Sequence, residues 1–215
     1  MRRPSVLLAD DHQIVLAAFT RLLESTCDVV GTVTDGQAVV KAAGELKPDL
    51  VLLDVGLPHL NGLDACLRIR QQVRRTRVIV LTMDEDPEVA AEAMRRGASG
   101  YLLKSSPPAE LFDAIREVFD GRTYISPRIA SEPAGVFVSR ARTTGGGGLT
   151  LREREVLQLL AEGKSMKAAA TLLGVTPRTI AFHKYTMMNR LGLKTGAALI
   201  QHAVAIGLVT ARSST

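Results

Sequence analysis

Apolar residues in the first part of the chain fall into five short runs separated by stretches of helical periodicity. Each run is bounded by turn residues, which is typical of strands buried on both faces of a parallel sheet. The intervening segments are about a dozen residues long, the spacing of βαβ units. The predicted strands are Ser5–Ala9, Asp28–Val33, Leu50–Leu53, Arg77–Leu81 and Gly100–Leu103. The pattern therefore predicts a doubly wound, five-stranded parallel α/β domain over residues 1–121.

The last part of the chain, residues 149–215, shows helical periodicity only. A Thr150–Glu153 capping box precedes an amphipathic helix, and capping residues or glycines divide the rest into three more short helices. The four helices are predicted to start after Thr150, Ser165, Thr176 and Thr195. Short helices separated by a glycine-containing turn indicate a small all-α helix-turn-helix domain, whose second member enters the DNA major groove.

Between these domains, residues 122–148 lose both periodicities and end in the four-glycine run Gly145–Gly148. Such a run is a flexible joint. We therefore predict a linker here, with a short helical or extended piece near Pro133–Ser139.

Charge is divided unevenly between the two domains. Residues 1–121 carry 14 Lys+Arg against 18 Asp+Glu, whereas residues 149–215 carry 9 against 3. An acidic front and a basic back suggest a metal- or phosphate-handling domain joined to a nucleic-acid binder. No apolar run reaches the ~18 residues of a membrane span, and no signal peptide precedes the first strand. Cys27 and Cys66 lack metal-site spacing, so we expect a cytoplasmic protein with reduced thiols.

Polar residues follow four of the predicted strands directly. They are Asp10 and Asp11, Asp54, Thr82 and Lys104. Right-handed crossovers place the carboxyl ends of parallel strands at one edge of the sheet, where such folds bind ligands. An adjacent pair of aspartates by itself is usually a solvated turn or a helix cap. The recurrence of polar residues at four strand ends indicates a shared site instead.

The chemistry of this set favours phosphate. Three clustered carboxylates repel one another unless a cation lies among them, and hard oxygen ligands favour Mg²⁺. An aspartate beside such a cation can accept a phosphoryl group covalently. Asp54 is the candidate acceptor, with Lys104 and Thr82 available to pair with the phosphate oxygens.

As a set, these residues resemble the receiver domain of two-component response regulators over about residues 4–120. The resemblance implies a flavodoxin-like sheet of order 2-1-3-4-5 and a histidine kinase as phosphodonor to Asp54. It also implies that Thr82 and Tyr101 form a switch pair, in which the hydroxyl moves toward the phosphate and the ring turns inward. The Mg²⁺ ligands that it implies are Asp10, Asp11, Asp54 and the Gly56 carbonyl. Many receivers have a cis proline after the lysine, where this chain has Ser105.

The third helix of the back domain carries the candidate DNA-binding face, opposite a core-facing stripe that includes Ile180 and Met187. Lys184, Arg190 and Lys194 are candidates for phosphate contacts, although single basic residues on helices are usually just solvated. The residues predicted to contact DNA are Arg178, Thr179, Ala181, Phe182, Lys184, Tyr185 and Asn189.

Residues 149–208 resemble the LuxR-type helix-turn-helix of NarL/FixJ response regulators, on motifs such as Leu149–Leu157 and Leu191–Leu193. By this resemblance the fourth helix is a homodimer surface, unless it only completes the domain core. The family usually has Asn and Glu where Met166 and Ala168 stand, so the capping box of the second helix lacks its glutamate.

The main hypothesis is thus a DNA-binding response regulator that dimerises when phosphorylated, and not an enzyme beyond slow self-dephosphorylation. One alternative makes Asp54 the nucleophile of a phosphohydrolase. Such enzymes have an acidic residue two positions later, where this chain has Gly56. Another alternative keeps DNA binding but makes the front domain a constitutive docking module.

Overall fold

A computed structural model describes residues 2–83, 85–130 and 149–209. The chain divides into two compact units, Met1–Thr143 and Thr144–Thr215, which are described separately below. The predicted piece near Pro133–Ser139 and the run Gly145–Gly148 lie outside the described residues.

The first unit is a parallel sheet with helices on both faces. Its order is β2-β1-β3-β4-β5-β6, which confirms the predicted order of the first five strands and adds a sixth. The strands are β1 (Ser5–Ala9), β2 (Asp28–Val33), β3 (Leu50–Asp54), β4 (Arg77–Thr82), β5 (Gly100–Leu103) and β6 (Tyr124–Ile125). The helices are α1 (Gln13–Leu23), α2 (Gly36–Leu46), α3 (Gly62–Gln72), α4 (Pro87–Arg95), α5 (Pro108–Phe119) and α6 (Pro127–Ala130).

Alternate strand residues build two buried layers, one on each face of the sheet. On one face Val51 and Leu53 pack with the buried residues of α2, α3 and α4. On the other face Leu50 and Leu52 pack with α1 and α5. Because β3 is central and its residues are all buried, the position at its carboxyl end is fixed from both sides.

The sixth strand comes from residues that the sequence assigns to the linker. Tyr124 and Ile125 pair in parallel with Gly100 and Tyr101, and the Ser126 amide then donates to the Tyr101 carbonyl at 2.9 Å. A two-residue strand is too short to produce a periodic pattern, so the sequence could not reveal it.

The pair Ser106–Pro107, a capping residue before a proline, predicts a helix that begins at Pro107, but α5 begins one residue later. Pro107 is the N-cap, without a side-chain cap bond, and Pro108 is the first helical residue. The cause is the second proline, because a residue that precedes proline is disfavoured in the helical region.

Two glycines let the β3–α3 loop lie against the helices that flank it. A Cβ on Gly62 would come within 1.9 Å of the Asp54 carbonyl oxygen, and one on Gly36 within 1.8 Å of the Leu60 carbonyl oxygen. The Gly62 amide donates to Val55 O at 2.9 Å. The backbone that follows Asp54 is therefore held by contacts that exclude any side chain at these two positions.

Within residues 149–209 the second unit has four helices, as predicted: α7 (Leu151–Ala161), α8 (Met166–Leu173), α9 (Pro177–Arg190) and α10 (Gly196–Ala205). Thr150 and Glu153 form the full capping box of α7, whereas Ser165 caps α8 through the Ala168 amide alone. The core contains the buried side chains of Val156, Leu157, Ile180, Met187 and Leu199. Among the described residues, no helix is long and apolar enough to cross a membrane.

We predict opposite effects for two Gly→Ala substitutions in this fold. Gly62→Ala forces the Asp54 carbonyl aside and should lower the free energy of unfolding by about 2 kcal/mol, the usual cost of overpacking. Gly44→Ala in α2 is the control, because its Cβ would lie 3.9 Å from the nearest atom, Gln72 Oε1. It should raise stability by about 0.5–1 kcal/mol through helix propensity. Urea unfolding followed by circular dichroism measures both, and equal effects would contradict the close approach at Gly62.

Candidate functional site

Polar side chains from four strands meet at the carboxyl edge of the sheet. Asp10 follows β1, Asp54 ends β3, Thr82 ends β4 and Lys104 follows β5. Asp10, Asp54 and Thr82 are only 4%, 7% and 4% exposed. Burial of polar side chains costs free energy unless they find partners. The burial of these three side chains therefore indicates a specific polar site at this edge and not a solvent-exposed surface.

Lys104 links the site across the sheet. Its Nζ lies 2.6 Å from Asp10 Oδ2 and 3.0 Å from Asp54 Oδ1. Its backbone amide donates to the Thr82 carbonyl at 2.7 Å. The described residues contain no cis peptide bond, so the bond from Lys104 to Ser105 is trans. The structure thus brings the side chains of Asp10, Asp54 and Lys104 into contact and places the Thr82 backbone beside Lys104.

The charges at the site do not balance. Burial raises the pKa of the Asp54 carboxyl above its ordinary value, and the neighbouring Asp10 and Asp11 add to this against the lowering effect of Lys104. Burial alone would lower the pKa of Lys104, but its contacts with Asp10 and Asp54 raise it. One ammonium therefore serves two buried carboxylates with a third nearby, and the excess of negative charge favours an added cation.

The cation would find hard oxygen donors at Asp10 and Asp11. Ligand atoms of Asp10, Asp11 and His12 lie within 4.8 Å of one another. The His12 amide donates to Asp10 Oδ1 at 2.9 Å, and its ring Nδ1 lies 2.8 Å from Asp11 Oδ1. His12 is also the N-cap of α1, which agrees with a helix-start role. The carboxylate set fits Mg²⁺, which prefers oxygen ligands.

Gly56 borders the candidate acceptor without a side chain. A Cβ added there would lie 3.4 Å from Asp54 Oδ2, so the backbone at this position runs close to the carboxylate. Gly56 is exposed, which leaves this side of Asp54 open to an incoming group.

Tyr101 is fully buried in β5, not half-buried as an ordinary strand aromatic would be. It belongs to the same buried cluster as Ile129 of α6, and Ile125 of β6 packs against that cluster. We call Tyr124–Ala130 the linker root. Its strand β6 lies beside β5, the strand that carries the predicted switch aromatic.

Arg128 of the linker root contacts two loops of the site. One guanidinium nitrogen lies 2.5 Å from Glu85 Oε1, in the loop after β4. The other donates to Ser105 Oγ at 3.3 Å, in the loop after β5. Sequence reasoning missed this residue. The Ser126–Pro127 pair, a cap residue before a helix-start proline, was the one signal for α6.

In the second unit, α9 presents an exposed stripe at helical spacing. Its members are Arg178, Phe182, Tyr185 and Asn189. On the opposite side, Ile180 and Met187 are fully buried, as expected. Ala181 and Lys184 are half-exposed at the edges of the stripe. The structure thus offers most of the predicted DNA-contacting set on one accessible face.

Two basic or polar candidates are occupied within the domain. Arg190 lies 2.5 Å from the buried carboxylate of Glu153 on α7, and its side chain is 42% exposed, so its contact with a DNA phosphate stays a prediction. The Thr179 hydroxyl lies 2.9 Å from that of Thr176, the α9 cap. On α10, Ile200 and Val204 are each 41% exposed, whereas Leu199 and Ala203 are buried. The helix therefore both completes the core and presents an apolar surface.

Comparison with known families assigns both units. The model of the response regulator receiver domain matches residues 6–116. The model of the bacterial regulatory proteins of the luxR family matches residues 148–203.

Individual proteins match over nearly the whole chain. The oxygen regulatory protein NreC of Staphylococcus aureus is 35% identical over 208 residues, 93% of this chain and 96% of its own length. The solved RcsB response regulator of Salmonella typhimurium is 26% identical with a TM-score of 0.64, covering 96% of this chain and 99% of RcsB. An RcsB–DNA complex matches at 25% identity and a TM-score of 0.57, covering 95% and 99%. The chain therefore belongs to the response regulators that join a receiver domain to a LuxR-type helix-turn-helix DNA-binding domain.

Proposed function

We propose that this protein is a transcription regulator whose DNA binding is controlled by phosphorylation of Asp54 by a histidine kinase. The observation that carries the proposal is the contact of one ammonium, that of Lys104, with two buried carboxylates, Asp10 and Asp54. A site with this excess of negative charge is suited to a divalent cation and a phosphoryl group. Because such a regulator must reach DNA, we propose that the protein is located in the cytoplasm.

The transfer itself requires little from the protein beyond position and charge. An Asp54 carboxylate oxygen attacks the phosphorus of the phosphohistidine, the P–N bond breaks, and an acyl phosphate forms. An ionised carboxylate needs no base to activate it. Mg²⁺ held by Asp10, Asp11, Asp54 and the Gly56 carbonyl would neutralise charge on the phosphoryl oxygens.

Two side chains can then recognise the new group. The Lys104 ammonium, already 3.0 Å from Asp54 Oδ1, can pair with a phosphoryl oxygen. The Thr82 hydroxyl, at the end of the adjacent strand, can donate to another. The position two residues after Asp54 is Gly56, so the general acid of a phosphohydrolase is missing from it. We therefore propose a phosphoacceptor with at most slow self-dephosphorylation.

The linker root offers a route from the phosphate to the rest of the chain. Arg128 touches the loop after Thr82 and the loop after Lys104. Ile129 and Tyr101 are buried in one cluster, and Ser126 Oγ lies 2.5 Å from Glu110 of α5. Movement of Thr82 and Tyr101 on phosphorylation would therefore displace these contacts and change how the linker leaves the sheet.

The second unit would bind an operator with two half-sites as a homodimer. α9 supplies the exposed face, and the apolar stripe of Ala197, Ile200 and Val204 on α10 supplies the dimer surface. A symmetric dimer fits half-sites one helical turn apart. The similarity to a protein solved in complex with DNA supports the same use of this unit here.

Phosphorylation of Asp54 should raise affinity for the operator. With acetyl phosphate and Mg²⁺, intact mass should show the gain of one phosphoryl group, and gel shifts should show tighter binding. The Asp54→Asn variant should show neither change, and chelation of Mg²⁺ should prevent both. Phosphorylation without any change in operator affinity would leave the receiver as a constitutive docking module. Steady release of phosphate from an ester would favour the phosphohydrolase instead.

The Asp54→Asn variant should be more stable than the wild type at pH 7 without Mg²⁺, by about 1 kcal/mol. The fold raises the pKa of Asp54, so the folded state binds that proton more tightly. Stability is then lost as pH rises from the unfolded pKa of about 4 through the folded value. The advantage of the variant should shrink toward pH 4 and when Mg²⁺ is added. Urea unfolding at several pH values measures this, and a less stable variant at pH 7 without Mg²⁺ would contradict it.

The Arg128→Ala substitution removes the bridge between the two loops. It should weaken the effect of phosphorylation on operator affinity while preserving the fold. Arg128 and Glu85 side chains are both more than half exposed, at 57% and 54%, so Arg128→Ala should cost less than about 1 kcal/mol. It should reduce the ratio of phosphorylated to unphosphorylated operator affinity about threefold.

The matched control for this bridge is Arg122→Ala. Arg122 is nearly as exposed as Arg128, at 56%, and pairs with Glu117 and Asp120. It precedes the linker root and contacts neither loop of the site through these pairs. Equal affinity ratios in the Arg128 variant and the wild type would exclude the bridge from the route.

A further inference from the structure

The exposed stripe of α9 has an aromatic centre. Phe182 is 66% exposed and Tyr185 is 58% exposed, while Arg178 and Asn189 continue the stripe on either side. Large exposed apolar groups that stand together usually mark a surface of interaction. The centre of this face therefore offers two aromatic rings for apolar contact, with the Tyr185 hydroxyl as the polar group of one ring.

The charge around the two rings indicates what covers them. α9 contains no Asp or Glu. Helix α7 carries two buried glutamates, Glu153 and Glu155. Glu153 pairs with Arg190, and Glu155 pairs with Arg152. Glu153 therefore offsets Arg190, and the positive charges of α9 closest in sequence to the two rings are those of Arg178 and Lys184. Such a face complements DNA, with cations toward phosphates and the stripe toward the groove floor.

Each ring contacts a neighbouring side chain of the same helix. The Phe182 and His183 ring centroids are 5.8 Å apart with an interplanar angle of 69°, an edge-to-face arrangement. Lys184 Nζ lies 5.8 Å from the centroid of the Tyr185 ring. The rings are therefore supported without being covered, and their outer edges remain accessible.

A phenylalanine on a groove-facing helix has a narrow choice of targets. It has no donor or acceptor, so it cannot read the hydrogen-bonding groups of base edges. In the major groove the apolar group on a base edge is the C5-methyl of thymine. We propose that Phe182 and Tyr185 are specificity-determining residues that select thymines in each operator half-site through this methyl group. The inference rests on the proposed DNA-binding function of α9.

Replacement of thymine by deoxyuridine tests the inference directly, because it removes the methyl and leaves base pairing intact. The full-length protein, treated with acetyl phosphate and Mg²⁺, is first used to select a duplex from random double-stranded DNA. Each half-site thymine of that duplex is then replaced in turn. Loss of one buried methyl should weaken wild-type binding about fourfold at one or two positions in each half-site.

Two variants locate the effect. Phe182→Ala should bind the thymine and deoxyuridine duplexes with equal affinity at the position that Phe182 reads. Leu172→Ala, which truncates an exposed apolar residue of α8, should retain the fourfold difference. Because Phe182 is exposed, its removal leaves the core intact, and the wild-type comparison needs no variant at all.

The possible results distinguish a failure of methyl recognition from a failure of DNA binding by α9. If a duplex is selected and bound but no deoxyuridine substitution weakens binding, methyl recognition is wrong and DNA binding stands. If no duplex is bound, both fail. If Phe182→Ala changes the oligomeric state while the deoxyuridine effect persists, the aromatic face belongs to a protein contact and the inference is overturned.

Discussion

The N-terminal unit depends on one ammonium group placed between two buried carboxylates. Asp10 and Asp54 come from neighbouring strands, and both lie at an edge from which water is largely excluded. Two carboxylates that contact the same ammonium would repel each other strongly without it. Lys104, delivered by a strand two positions away from β3 in the sheet, makes the arrangement tolerable. Because one ammonium does not neutralise both carboxylates, the remaining negative charge favours the binding of a cation.

The sheet and its glycines serve this placement. The parallel register brings the ends of β1, β3, β4 and β5 to one edge, and burial on both faces fixes their positions. Gly62 and Gly36 allow the chain after Asp54, the proposed acceptor, to pack closely against neighbouring backbone. The linker root contacts the two loops of the site through Arg128. A small movement of Thr82 or Lys104 would therefore change the contacts of Arg128. The C-terminal unit contributes a basic, partly aromatic helix face, suited to DNA.

Much of this was predictable from the sequence, and the reasons are physical. Continuous aliphatic runs identify strands of a parallel sheet, and the strand-end rule then selects Asp54, Thr82 and Lys104. Helical periodicity likewise separates the buried Ile180 from the exposed Phe182. The misses concern contacts that periodicity does not encode. β6 is too short to have a period, and the second proline moved the start of α5. The ion pair between Arg190 and a glutamate of another helix joins residues far apart in the sequence. Arg128 could be recognised only after α6 had been placed against the sheet.

The most direct test of the central claim is fluorine NMR of the full-length protein with beryllium fluoride, which mimics an aspartyl phosphate. The account predicts a protein-bound signal of one adduct per chain that requires Mg²⁺ and disappears in the Lys104→Ala and Asp54→Asn variants. A bound signal that persists without Mg²⁺ or in the Asp54→Asn variant, or no bound signal in the wild type, would contradict the claim that these strand ends form a phosphoacceptor site.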